Sequence, residues 1–253
     1  MDPENVLEEL RNYFLTIGFN LTLSVNPELY SADLGSSKKL GSIFADAKSI
    51  ILIGFGGKGF WDIFQKYLRD NPGFKTNNVD LIDNYSVLKL KEAANILDAN
   101  QVAYKILYPF GEDALDLNFL RLGELGGAGV PSLLGILLHP VYGPWISLRG
   151  AIITDMEFKE YGENLSSFSP CPTCDKPCIS ACPVNTISES GWDWESCMKF
   201  RISDETCAKS CASRRACPYG EEEQYSEDQL QYHHKFVLKS VKKYFEQENK
   251  SEE

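Results

Sequence analysis

The chain has 253 residues, of which 43% are hydrophobic and 24% charged, so it is long enough to bury a core in one large domain or two modest ones. Its net charge of −11 argues against a general nucleic-acid binder, because neutralising phosphates requires an excess of Lys and Arg. The acidic start MDPENVLEEL is neither a secretory signal nor a transit peptide, and we expect a cytoplasmic protein.

The first part of the chain mixes helical and strand patterns. Apolar spacing predicts helices over 4–17, 60–70 and 82–100. The short apolar runs SIILIGF (49–55) and AYKILYP (103–109) predict strands, and the polar stretch NPGFKTNNVD, between the second and third helices, predicts a loop.

The longest nearly uncharged run is PSLLGILLHPVYGPWISL, residues 131–148. Its length approaches that of a membrane span, but three prolines interrupt it. We therefore expect no membrane segment, and we predict two buried strands that pair as a hairpin around VYGP.

This order of elements predicts an α+β fold with three segments. Residues 1–160 form a layered α+β domain, residues 161–222 a cysteine-rich module, and residues 223–253 a C-terminal helix and tail.

All eight cysteines lie in the second segment, in two runs that each end in Cys-Pro: C-x2-C-x3-C-x3-C-P from Cys171 and C-x9-C-x3-C-x5-C-P from Cys197. Disulfides, zinc and iron–sulfur clusters could each explain such a pattern. In a reducing compartment the clustering favours metal over disulfides. Zinc sites more often show two separated C-x2-C pairs, so the spacing favours two [4Fe–4S] clusters.

The two Cys-Pro pairs indicate which cysteines share a cluster. In two-cluster ferredoxins the cysteine before the proline binds the other cluster. Applied here, this rule predicts group A, which is Cys171, Cys174, Cys178 and Cys217, and group B, which is Cys182, Cys197, Cys207 and Cys211.

A second motif, GFGGKG at 54–59, matches the G-x-G-x-x-G of dinucleotide-binding folds, and Asp80 follows at about the required distance. The acidic residue should end a second strand, whereas Asp80 precedes a predicted helix. The motif is therefore a weak indication of NAD, and a tight strand–helix connection is the simpler interpretation.

Several stretches resemble the epoxyqueuosine reductases. The segment HPVYGPWISLRGAIITD followed by CPTCDKPCISACP is similar to that family's hairpin and double-cluster module, and Gly127 and Gly129 match its Gly-Leu-Gly. WESCMKF around Cys197 resembles the segment that supplies an isolated cluster ligand. Two features depart from the family: Ser132–Leu133–Leu134 replaces its usual Gly-Lys-Asn, and no helical-repeat module for tRNA follows the cysteines.

The chain also resembles the CblC-type cobalamin-processing proteins, through NNVDLIDNYSVLKLKEA (77–93) and ILLHPVYGPWISLRGAI (136–152). Both families, with the reductive dehalogenases, share a nitroreductase-like core that binds cobalamin. The resemblance therefore implies a nitroreductase-like, corrinoid-binding domain followed by a ferredoxin-like module. Val141 replaces a residue that is commonly basic in CblC proteins, which argues against thiol-dependent chemistry and leaves the clusters as the reductant.

Further residues are candidates for the corrinoid site, each with a structural alternative. His139 faces the corrinoid or orders the backbone. Tyr142 and Trp145, beside Gly143, wall the macrocycle or fill the core. Arg149 needs a partner, which is the cofactor or a carboxylate.

Two side chains are candidate proton donors. Asp113 falls where the resemblance to epoxyqueuosine reductases places a catalytic acid. Tyr85 donates a proton in the cavity or is an ordinary aromatic on a helix face.

The sequence thus predicts an oxidoreductase that passes electrons through two [4Fe–4S] clusters to a corrinoid, and either removes the upper ligand of B12 or reduces a small molecule. The alternatives are an epoxyqueuosine reductase, or a non-enzymatic B12 chaperone or electron carrier. We expect an external low-potential donor, such as a ferredoxin, a flavodoxin or a reductase, and pairing as a homodimer, and we do not expect nucleic acid as a partner.

Overall fold

The computed structural model describes residues 2–31, 40–111, 116–159, 162 and 165–251, without the side chains of 205, 236, 237, 239, 240, 243, 244 and 246–251. The chain divides into two compact units. The first unit combines Met1–Val130 with Ile146–Ser167, and the second combines Pro131–Trp145 with Phe168–Glu253. The compact units thus assign 131–145 to the cysteine-rich part, whereas the sequence-based segments 1–160, 161–222 and 223–253 keep it in the first.

The structure is a mixed α+β fold, as the element pattern predicts. In chain order its helices are α1 (Pro3–Thr16), α2 (Pro27–Ser31), α3 (Leu40–Ile43), α4 (Gly59–Asp70), α5 (Pro72–Asn77), α6 (Leu81–Ala99), α7 (Phe119–Leu125), α8 (Pro177–Ser180), α9 (Trp194–Ser203), α10 (Glu205–Lys209), α11 (Ala212–Arg215) and α12 (Glu227–Ser251). Its strands are β1 (Leu21–Val25), β2 (Ser49–Gly56), β3 (Tyr104–Leu107), β4 (Val130–Pro131), β5 (Leu137–Leu138), β6 (Ile146–Thr154), β7 (Ile187–Ser188) and β8 (Gly191–Trp192).

The first unit is built on an antiparallel four-stranded sheet in the order β1-β2-β6-β3. All eight residues of β2 are buried, because it is an inner strand with both faces covered. The register of β2 against β6 shifts between Ile53 and Gly54, which face Gly150 and Leu148. Arg149 is therefore the extra residue of a β-bulge.

Helices supply the remaining core of the first unit. Helix α1 packs against α6, and its buried residues are Val6, Leu7, Leu10 and Phe14. Asp2 and Asp80 cap the N-termini of α1 and α6 by accepting hydrogen bonds from backbone N–H groups. The rings of an aromatic cluster lie 4.0–6.3 Å apart, and its members are Phe19, Phe55, Phe60, Phe64 and Tyr85.

Two expectations for the first 160 residues are wrong. The predicted hairpin does not form, because β6 pairs with β2 and β3, and the turn makes a bridge between His139 and Gly143. Part of the expected 71–80 loop is helix α5, which begins at a proline. In addition, strand β1 was not predicted.

The second unit consists of short elements around the cysteines and the long helix α12. Strands β7 and β8 form a two-residue ladder between the two cysteine runs. Among the described residues, no helix combines the length and the apolar character needed to cross a membrane.

Candidate metal centres

Cavity A is a small space, about 20 Å³, that all four cysteines of group A line. Cys171 begins a 3₁₀ turn, Cys174 ends it, and Cys178 lies in α8. Cys217 comes from the far end of the second run, yet it lines this same cavity.

The backbone around cavity A is folded toward the sulfur atoms. Lys176 has φ +53°, which reverses the chain between Cys174 and α8, and Pro177 follows at the first position of that helix. The N–H of Lys176 donates to Cys174 Sγ at 3.3 Å. The side chain of Lys176 pairs with Glu189 at 3.0 Å, so its charge is balanced.

Cavity B is larger, about 280 Å³, and all four cysteines of group B line it. Three of them are carried by consecutive short helices: Cys197 in α9, Cys207 in α10 and Cys211 at the N-cap of α11. Asp193 and Asp204 cap α9 and α10, and the Asp204 carboxylate accepts the N–H of Cys207 at 2.8 Å. These caps fix where two of the helices begin and hence where their cysteines lie.

The pKa shifts of two thiols also reflect the division of the cysteines into groups A and B. Burial raises the pKa of Cys217, and the thiols that raise it further are Cys178, Cys171 and Cys174. Burial, Asp204, and then Cys211, Cys197 and Cys182 raise the pKa of Cys207 to about 11. Each of these two thiols is therefore influenced by the three cysteines of its own predicted group.

Cys182 differs from its neighbours. Burial alone would raise its pKa, but hydrogen bonds outweigh that effect and lower it, first from the Thr186 hydroxyl, which lies 3.3 Å from Sγ, and then from backbone N–H groups. Donors of this kind stabilise a thiolate, the form of cysteine that binds metal.

In the described part of the chain, no three His, Cys, Asp or Glu side chains are grouped so that they could hold one metal ion. A single zinc ion bound by bonds of about 2.3 Å would require its four sulfur ligands to converge. The cysteines of each group instead line a cavity.

The arginines and histidines of cavity B were not among the candidate residues predicted from the sequence. Arg201, Arg214, His233 and His234 line this cavity beside the cysteines. Their spacing carries a usable signal: Arg201 is four residues after Cys197 in α9, and Arg214 is three after Cys211, so each pair shares a helical face.

The turn after β5 is ordered by its own residues. His139 Nδ1 accepts the N–H groups of Val141 and Tyr142 at 3.0 and 3.2 Å, and its ring stacks on Tyr142 with centroids 4.7 Å apart. Gly143 has φ +55°, and a Cβ there would lie 2.0 Å from the Tyr219 carbonyl oxygen. The structure thus gives His139 the backbone-ordering role and packs the turn against the residues that follow Cys217.

Trp145 is fully buried within the second unit. Its ring lies 5.3 Å from that of Tyr225 and 4.5 Å from the Arg214 guanidinium. Arg214 also donates from Nε and Nη2 to the Pro144 carbonyl at 3.1 and 2.6 Å. These contacts correspond to the core-filling alternative for Trp145.

Gly127, Gly129 and Arg149 belong to the first unit. Gly127 has φ +80°, and the bonds from its N–H to Glu124 O and from Ala128 N–H to Gly123 O form the Schellman motif that ends α7. Gly129 is buried just beyond this motif.

Arg149 finds its partners within the chain. It is ion-paired with Asp83 and donates from Nε to Ser86 Oγ at 3.0 Å. A carboxylate therefore balances this charge, which is the alternative to a cofactor.

Of the two candidate proton donors, Tyr85 lies within the described residues and Asp113 does not. Tyr85 is buried and its hydroxyl donates to the Ile17 carbonyl at 3.1 Å, and burial raises its pKa strongly. This places it as an aromatic of the core. Asp113 lies outside the described residues.

The glycine motif at 54–59 has a structural explanation. A Cβ on Gly54 would lie 2.6 Å from the Ser147 carbonyl oxygen of β6, so the bulge requires glycine there. Strand β2 pairs antiparallel on both sides, and Asp80 caps α6 instead of ending a strand. None of this resembles the parallel βαβ unit of a dinucleotide site.

No family model matches the sequence, and no curated protein matches it significantly. Solved structures do match. Epoxyqueuosine reductase from Streptococcus thermophilus superposes with a TM-score of 0.58 at 15% identity, over 88% of this chain and 68% of that one. The B12-trafficking protein CblC of C. elegans, a homologue of human MMACHC, gives 0.58 at 14% identity, over 91% of both chains. This chain shares their fold.

A reductive dehalogenase for which a mechanism of B12-dependent dehalogenation has been put forward also matches, with a TM-score of 0.53 at 16% identity, over 95% of this chain and 35% of that one. The resemblances to epoxyqueuosine reductases and CblC proteins are thus confirmed at the level of the fold. At these identities the likeness establishes the fold alone.

Proposed function

We propose that this protein is an iron–sulfur, cobalamin-binding reductase, in which two [4Fe–4S] clusters pass electrons to a corrinoid. The observation that carries the proposal is that eight cysteines, dispersed over two sequence runs, line two separate cavities with four in each. The fold neighbours, among which are an epoxyqueuosine reductase and a reductive dehalogenase, support a redox role.

The residues around both cavities fit cubane clusters. Four thiols that line one cavity suit a ligand in which each sulfur binds a different iron. The N–H of Lys176 and the hydroxyl of Thr186 approach cluster-binding sulfurs, and such hydrogen bonds are one means by which proteins set a cluster's potential. Group A would hold cluster A and group B would hold cluster B.

The finer architecture is part of the proposal. Residues 1–160 would be a nitroreductase-like corrinoid-binding domain, residues 161–222 a ferredoxin-like module, and residues 223–253 a C-terminal helix and tail. The likeness to a B12-trafficking protein over 91% of both chains supports the first of these.

Trp145 and Arg149, which the sequence assigns to the corrinoid, and Tyr85, a candidate proton donor, make their contacts within the chain. Trp145 and Tyr85 are buried in aromatic contacts, and Arg149 is paired with Asp83. Support for a corrinoid therefore rests on the fold, and we assign none of these three residues to it. When bound, a corrinoid would supply a reducible cobalt, while the protein would supply position and a dry cavity.

The test is anaerobic purification and reconstitution of the full chain. We expect a brown protein with about eight iron and about eight sulfide per chain, which bleaches on reduction, and we expect added cobalamin to become base-off in its absorption spectrum. Zinc in place of iron would contradict the cluster assignment. An unchanged cobalamin spectrum with intact clusters would contradict the corrinoid alone.

Two other functions have a specific observation in their favour. An epoxyqueuosine reductase structure solved with an epoxyqueuosine-modified tRNA stem loop matches at a TM-score of 0.57 and 15% identity, over 90% of this chain and 68% of that one, which favours a reductase acting on tRNA. The net charge of −11 argues against it. Accumulation of epoxyqueuosine in tRNA from a deletion strain would establish it.

The trafficking role of CblC favours a B12 carrier without turnover. Base-off binding of an alkylcobalamin, with no loss of its upper ligand under reducing conditions, would favour the carrier. Release of the upper ligand in step with oxidation of the clusters would favour the reductase. The physiological electron donor, a possible homodimer and the cytoplasmic location remain predictions.

A further inference from the structure

Cavities A and B carry very different charge. The one basic side chain that lines cavity A is Lys176, among the described residues, and its ammonium is paired with Glu189. Cavity B is lined by two arginines, Arg201 and Arg214. Neither of them forms an ion pair with a carboxylate in the described part of the chain.

The contacts of the two arginines are to neutral groups. Arg214 donates twice to the Pro144 carbonyl and lies over the rings of Trp145 and Tyr225, 4.5 and 5.1 Å from their centroids. Arg201 contacts His234 Nδ1 at 2.7 Å, and its own Nε is buried without a hydrogen-bond partner among the described residues. Both arginines are half-buried, so an anion in cavity B would offset the cost of partly removing their charges from water.

The two arginines lie beside the cysteines of this cavity. Arg201 is four residues after Cys197 in α9, and Arg214 is three residues after Cys211, the N-cap of α11. Both arginines therefore line cavity B from helices that also carry or follow its cysteines.

A cubane cluster would be the missing anion. Four thiolates around an oxidised [4Fe–4S] core leave a net charge of about −2, and a one-electron reduction makes it about −3. Fixed positive charge beside a cluster favours the more negative state and so raises the reduction potential. Cavity A, whose single lysine is already paired, has no comparable effect.

We propose that Arg201 and Arg214 are positioning residues that raise the reduction potential of cluster B above that of cluster A, so that the first electron to enter the protein resides on cluster B. This inference rests on the proposed function, since it requires both clusters. In the reaction, one electron from an external donor converts the [4Fe–4S]²⁺ core of cluster B to [4Fe–4S]⁺, and the donor is oxidised by one electron. Cluster A is reduced second and is the stronger reductant of the two.

The test is a potentiometric titration of the reconstituted full chain, followed by electron paramagnetic resonance. The wild-type protein should show two one-electron steps. Arg201→Gln, which removes one charge, should lower only the higher potential, by about a tenfold change in the reduction equilibrium, or about 59 mV. Arg201→Lys, which keeps the charge, should restore most of the difference.

The matched control is Lys199→Gln in the same helix. Lys199 is exposed, pairs with Glu195 and does not line cavity B, so this variant should shift neither potential. A shift of the lower potential, equal shifts of both, or no shift in Arg201→Gln would overturn the proposal. Loss of about four iron atoms from Arg201→Gln but not from Arg201→Lys would also overturn it, since the charge would then retain the cluster and not tune it.

The two proposals fail in different ways. A wild-type protein without about eight iron atoms per chain would overturn the proposed function and this inference with it. A wild-type protein with both clusters, whose higher potential is indifferent to the charge at 201, would overturn the inference alone.

Discussion

Burial raises the pKa of several cysteine thiols, and this opposes metal binding because the thiols must lose their protons first. Burial is the largest cause of the raised pKa of Cys178, Cys207, Cys211 and Cys217, so these side chains are neutral thiols at neutral pH before metal binds. Cluster assembly must therefore release protons, and it should be faster at higher pH. The pKa of Cys182 is instead lowered by its hydrogen bonds with Thr186 and backbone N–H groups, so this thiol loses its proton more readily than those four.

Replacing Tyr85 shows whether this candidate proton donor has a catalytic or a structural role. Replacing it with Phe removes one hydrogen bond to the Ile17 carbonyl, so the free energy of unfolding should fall by about 1 kcal/mol. Release of the upper ligand of cobalamin should continue at the wild-type rate. The measurements are a urea unfolding curve and the rate of ligand release.

The control is Tyr104→Phe, whose hydroxyl makes an exposed bond of 3.3 Å to Asp98 and should contribute little to stability. A fall of about 100-fold or more in the rate for Tyr85→Phe, without loss of stability, would instead identify the proton donor that the sequence left open.

The backbone of the turn between β5 and β6 packs directly against the backbone of the segment after Cys217. Neither segment has room for a side chain at the point of contact. A Cβ at Gly143 would meet the Tyr219 carbonyl oxygen at 2.0 Å, and a Cβ at Gly220 would meet the Tyr142 carbonyl oxygen at 2.4 Å. Both glycines also have positive φ, at +55° and +67°. This close backbone contact joins the turn to a segment that supplies a wall of cavity A.

Gly143→Ala should therefore destabilise the second unit by about 2–4 kcal/mol, through the clash and the strained backbone together. Gly191→Ala is the matched control, because Gly191 has φ +116° but open space around it, and we expect a loss of about 1 kcal/mol. Thermal unfolding monitored at the cluster absorption is the measurement. Equal losses in the two variants would show that the packing of the turn contributes nothing.

The sequence predicts local elements well and long-range pairing poorly in this chain. Helix α6 was recognisable from its apolar spacing, and the burial of its residues comes from that same pattern. Strand β6 was recognisable too, but its partners β2 and β3 lie 90 and 40 or more residues earlier, and no local pattern encodes that register. Strand β1, with the sequence LTLSV, alternates apolar and polar residues, which is a strand pattern, but it was missed because it is only five residues long. Its polar residues Thr22 and Ser24 are buried as well.

The same division applies to the candidate site. The spacing of the cysteines and their prolines suffices to predict which four line each cavity, because the rule depends on chain connectivity. The arginines of cavity B are not predicted, since their role depends on which charges lack a carboxylate in three dimensions.

In the whole molecule, the last cysteine of each run lines the cavity formed by the other run. Cys217 lines cavity A with the first run, and Cys182 lines cavity B with the second. Had each run formed its own site, the two clusters would be independent along the sequence. With the exchange, each proposed cluster would link residues 171–182 to residues 197–217.

The most direct test compares the iron content of three double variants, each reconstituted anaerobically. Cys171→Ala/Cys217→Ala removes two ligands of one cavity and should retain about four iron atoms, as should Cys182→Ala/Cys207→Ala. Cys171→Ala/Cys182→Ala damages both cavities and should retain almost none. Retention of about four iron atoms by Cys171→Ala/Cys182→Ala, with loss of both clusters from the other two variants, would contradict this account.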